Sequence, residues 1–73
     1  GKYFFTWGNR RTMETFDLII IDLDKGYDYI KEVSYALNPV SIADDKITLK
    51  NQVGETVVMY FKDFKSQKIN THE

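Results

Sequence analysis

The 73-residue chain has no cysteine, one histidine, one proline and four glycines. Without cysteine there are no disulfides, no thiol nucleophile and no thiolate-bound zinc. His72 is the penultimate residue; a catalytic imidazole must be held to a fraction of an ångström, and chain ends are rarely held that well. Neither a Ser–His nor a Cys–His nucleophilic system is therefore expected, and the sequence reads as non-enzymatic. Gly8, Gly26 and Gly54 are too widely spaced for a phosphate-cradling glycine motif. The stretch from Asp22 to Asp28 has the beginning of a calcium-loop pattern. It then places Gly26 where an oxygen ligand is required and Val33 where a bidentate Glu is required. No metal and no cofactor are expected. The longest apolar run, Leu18–Ile21, falls far short of the ~20 residues of a membrane span.

What the chain does have is aromatic rings: five Tyr, five Phe and one Trp. At this length one domain covering residues 1–73 is expected, with a narrow stability margin. Large rings give such a domain buried area without staples. Small secreted domains usually carry disulfides, so the expected compartment is cytoplasmic. The opening Gly1 in place of Met fits a processed end, a tag remnant or a fragment. Residues 66–73 read as a loose tail.

Net charge is −1, but it is unevenly distributed. Lys2, Arg10 and Arg11 make the start basic, Asp and Glu dominate the middle, and five lysines follow residue 45.

Periodicity divides the chain into short elements. In KYFFTW, Tyr3, Phe5 and Trp7 share one face of a strand, and Lys2, Phe4 and Thr6 the other. Residues 14–22 form a second strand, with Phe16, Leu18 and Ile20 on one side and Asp17, Ile19 and Ile21 on the other. Apolar residues on both sides predict cover on both faces. Residues 24–37 read as a helix: Asp24 caps it, Tyr27, Ile30, Val33 and Leu37 form its stripe, and Asn38-Pro39 stops it. At strand spacing, Tyr29, Lys31, Val33, Tyr35 and Leu37 also align. Three further strands follow: Val40–Ile42, a tight Asp44-Asp45 turn, Lys46–Lys50 with Ile47 and Leu49 inward, the Asn51–Gly54 loop, and Thr56–Phe64. The expected fold is α+β, a small antiparallel sheet of about five strands in the order β-β-α-β-β-β with one helix packed on one face. The alternative is a small all-β barrel.

Two contact functions suit such a chain. The surplus of rings predicts a protein-interaction module, such as an adaptor, inhibitor or self-associating homodimer. It would bind through Trp7, Phe4, Tyr29 and Tyr35 and through a sheet edge. The other is weak binding of single-stranded nucleic acid. At period two, Tyr60, Lys62 and Phe64 lie on the face opposite Val57, Met59 and Phe61. Rings beside cations stack bases and neutralise phosphates, and Lys46, Lys50, Lys65, Arg10 and Arg11 could extend that surface. The near-neutral charge weighs against this second reading.

Overall fold

A computed structural model describes residues 2–69. Among the described residues seven strands run in chain order: β1 Tyr3–Arg10, β2 Thr15–Asp22, β3 Tyr27–Ser34, β4 Asn38–Ala43, β5 Lys46–Lys50, β6 Thr56–Tyr60 and β7 Lys65–Lys68. They form two antiparallel sheets, β1-β2-β3-β7 and β4-β5-β6.

This corrects the expected α+β class. Among the described residues there is no α-helix, and the all-β alternative is the closer description, as two separate sheets. The stretch read as a helix is a hairpin turn followed by β3. Asp22 Oδ1 accepts from the backbone N–H of Asp24 and of Lys25, and the Gly26 N–H donates to the Asp22 carbonyl. Gly26 has φ +72°, a conformation that glycine adopts without a Cβ penalty. Asp-Lys-Gly therefore closes a turn where it could equally have capped a helix. Beyond it, Tyr27, Tyr29, Lys31 and Val33 stand opposite Asp22, Ile20, Leu18 and Phe16 of β2. Aromatic and β-branched residues suit that pleated surface.

The second correction concerns the last expected strand. Thr56–Tyr60 is β6, but Phe61–Asp63 form one 3-10 turn before the chain enters β7. Side chains three apart eclipse on such a turn. Phe61 and Phe64, placed on opposite faces by the period-two reading, thus both enter the core, 5.9 Å apart edge to face. The turn carries the chain from the three-stranded sheet to the four-stranded one. There β7 pairs with β3, so Ser66–Lys68 form strand rather than tail. His72 lies outside the described residues.

The core lies between the sheets. Leu18, Ile20 and Val33 of one sheet meet Ile47 and Leu49 of the other, with Phe61 and Phe64 between them. Fully burying such a side chain contributes about 1.5–3 kcal/mol. Met59 packs on this cluster from β6, and Val57 is half-buried. Two expected turns are present: Asp44 and Asp45 both have positive φ, as a tight hairpin requires, and Asn51 Oδ1 accepts from the N–H groups of Val53 and Glu55. The expected second layer over β2 is absent among the described residues. Ile19, Ile21 and Ile30 lie half-buried on the outer face of the four-stranded sheet.

Candidate nucleic-acid interface

Directly opposed residues in antiparallel strands share a face, so the register of the three-stranded sheet determines what its two sides carry. Ile42, Ile47 and Met59 form one row and Pro39, Leu49 and Val57 another, both on the core side. The outer side carries three rows: Ala43, Lys46 and Tyr60; Ser41, Thr48 and Val58; Asn38, Lys50 and Thr56. None of these positions is acidic. Tyr60 is 46% exposed and Val58 43%. Lys46 and Lys50 sit at the two ends of β5, about 13 Å apart at strand rise. The face therefore offers one ring, two cations and three hydroxyls on a shallow surface. Acids appear only at its margins. Asp45 is 3.6 Å from Lys25, which raises the Lys25 pKa, and Glu55 accepts a hydrogen bond from Asn51.

Asn38 at one end of this face also lines a hollow of about 340 Å³ with Trp7, Phe16 and Tyr35. The rings are tilted, with centroids 5.9 Å apart for Trp7 and Phe16 and 6.1 Å for Phe16 and Tyr35. The Arg10 guanidinium lies 5.6 Å from the Phe16 centroid and donates to the carbonyls of Thr12 and Met13. Three rings and a positioned cation thus adjoin the Asn38–Lys50 end of the sheet. Such an arrangement suits a base or another flat, electron-rich group.

The structure separates the remaining expected residues. Arg11 is bound to Asp17: Nε lies 3.0 Å from both carboxylate oxygens and a terminal nitrogen 2.8 Å from one. That hydrogen bonding lowers the Asp17 pKa and raises that of Arg11. Lys65 stands opposite Ile30 on the outer face of the other sheet. Lys62 is exposed on the 3-10 turn. Phe64, only 7% exposed, faces the core, with Lys31 Nζ 6.0 Å from its ring, and cannot stack a base. Tyr29 stacks on Phe61 at 4.9 Å and packs against the core, whereas Phe4 is 56% exposed on β1. Phe16, assigned only to a strand by its spacing, is the residue that joins Trp7 to Tyr35. Its role emerges only from the pairing of Phe16 with Arg10 and Val33.

Among the described residues, no three His, Cys, Asp or Glu side chains gather as a metal site, and no helix is long and apolar enough to cross a membrane. No protein-family model, curated protein or solved structure matches the chain.

Proposed function

We propose that this chain is a non-enzymatic module that binds single-stranded nucleic acid on the outer face of β4-β5-β6. The observation that carries the reading is the acid-free face in which Lys46, Thr48 and Lys50 stand beside Tyr60 and Val58. Tyr60 stacks a base, the two lysines neutralise phosphates, and the Trp7–Phe16–Tyr35 hollow takes a further base near Arg10. Net charge of −1 keeps the affinity weak. The cytoplasmic setting expected from composition is part of the proposal. The test is fluorescence anisotropy with a labelled single-stranded oligonucleotide at low and raised salt. Binding should weaken with salt, and Lys50→Glu should lower the salt slope by about 0.7. Lys65→Glu, on the other sheet, should leave binding unchanged. No binding at low salt, or equal losses from the two charge reversals, would sink the reading.

A protein-contact role stands beside it on a separate observation: Phe4, Phe5 and Trp7 are 56%, 46% and 37% exposed along one edge strand. An unbiased pull-down tests it. Recovery of the same proteins by wild type and Trp7→Ala would count against it.

A further inference from the structure

β1 is an eight-residue edge strand. Edges of that length are normally blunted by lysine, proline or a bulge. Here the irregularity lies between Trp7 and Arg10, and Tyr3–Trp7 carries neither charge nor proline. The direction of the free backbone groups follows from one hydrogen bond. The Leu23 N–H donates to the Lys2 carbonyl at 3.0 Å, so Lys2 faces β2. Antiparallel ladders alternate. Phe4 and Thr6 therefore bond to β2, and Tyr3, Phe5 and Trp7 direct their N–H and C=O groups outward. Beside this edge lies a groove of about 340 Å³, lined by Tyr3 and Phe5 and by Pro39, Val40, Ser41 and Ile42 of β4.

We infer that β1 pairs with β1 of a second copy of this chain, antiparallel and centred on Phe5. This deepens the protein-contact reading and shares only Trp7 with the nucleic-acid one, whose lysine and Tyr60 face lies on the other sheet. The charge of the edge selects the occupant: a second β1 brings the same uncharged, proline-free Tyr3–Trp7 run and sets no charge against these rings. Centring on Phe5 sets Phe5 opposite Phe5 of the second copy and Tyr3 opposite its Trp7. All three outward-facing residues then face outward-facing residues, each pair exchanging two hydrogen bonds. Phe4 meets Thr6 on the other side of the sheet, and Lys2 meets Gly8. Shifting the centre to Thr6 would set Lys2 against Arg10, a like-charge pair, and Tyr3 against Asn9 in the irregular segment. The Phe5 ring of the second copy points to the β4 side and fills the groove. The product is a continuous eight-stranded sheet built about a two-fold axis, the commonest symmetry of soluble dimers.

Light scattering after size exclusion, across a dilution series, should give the mass of two chains for the wild type. Phe5→Lys, which opposes two ammonium groups, should give one chain with an unchanged far-UV circular dichroism spectrum. Phe5→Pro should do the same, because the N–H it removes is not used in the β1–β2 ladder. The chain has no other thiol, so a short bis-maleimide should cross-link Phe5→Cys into covalent dimers and leave Met13→Cys, 82% exposed in the β1–β2 loop, largely single. A monomeric wild type, a dimer that survives both Phe5→Lys and Phe5→Pro, or equal cross-linking at 5 and 13 would each overturn the pairing. A monomer whose pull-down remains sensitive to Trp7→Ala would overturn only the choice of partner.

Discussion

The two sheets share one core yet present opposite chemistry to solvent. On the outer face of the four-stranded sheet, Phe4, Ile19, Ile21 and Ile30 form an apolar strip, with the acids Asp17, Asp28 and Glu32 standing on the same face. Arg11 is locked to Asp17, and Lys65 lies near enough to lower the Asp17 pKa further. On the outer face of the three-stranded sheet, Lys46 and Lys50 have no acid among their cross-strand neighbours. Equal numbers of basic residues do not make equal surfaces, because an arginine already committed to a carboxylate has little left for a phosphate. Register, which decides which side chains become neighbours, separates the two faces more than composition does.

The largest change expected is one that abolishes both faces together. Leu18→Ala removes a fully buried side chain beneath them and should cost about 2–5 kcal/mol in urea denaturation. That is a large part of the stability of so small a domain, and equal loss of both faces' properties would confirm the shared support. Next, Tyr60→Ala should weaken oligonucleotide binding by about 1–3 kcal/mol, roughly five- to 150-fold, with thermal stability little changed because the ring is 46% exposed. Arg11→Ala breaks the matched pair on the other sheet. In the wild type the Asp17 pKa is depressed, chiefly by hydrogen bonding from Arg11. The stability this gives is complete above the unfolded value of about 3.9 and is lost as pH falls through the lower folded value. Urea midpoints should therefore drop less on acidification below about pH 4 in Arg11→Ala than in the wild type, while oligonucleotide binding at neutral pH stays the same. The smallest effect is expected from Asp45→Gly. It relieves a positive φ at a non-glycine residue and removes an acid at the margin of the Lys46–Tyr60–Lys50 face, at the cost of an exposed ion pair. Stability should shift by less than about 1 kcal/mol, and affinity for the oligonucleotide should rise slightly.

The legible parts of the fold were those decided locally. The β4-β5-β6 meander, its two turns and the inward side chains of β5 follow from alternation and turn chemistry, and with them came Lys46, Lys50 and Tyr60 as neighbours. Residues 24–37 were illegible because Asp-Lys-Gly serves a helix cap and a hairpin equally well, and because the following residues satisfy both periods. What settles the matter is pairing on both sides, to β2 and to β7, which lies some forty residues away. Alternation puts Phe64 on the wrong face for a related reason: one 3-10 turn changes the parity of everything after it. The locking of Arg11 and the bridging role of Phe16 depend on partners that spacing alone does not reveal.

The docking of β7 onto β3 also bears on how the chain matures. As the protein leaves the ribosome, β1, β2 and β3 can zip together early, since each neighbour is adjacent in sequence. Their inward rings then wait for Phe61 and Phe64, which are synthesised later and are brought in by closing a long loop. During that interval the half-built sheet shows water, and every nearby nascent chain, a sticky aromatic side that the finished molecule covers only in part.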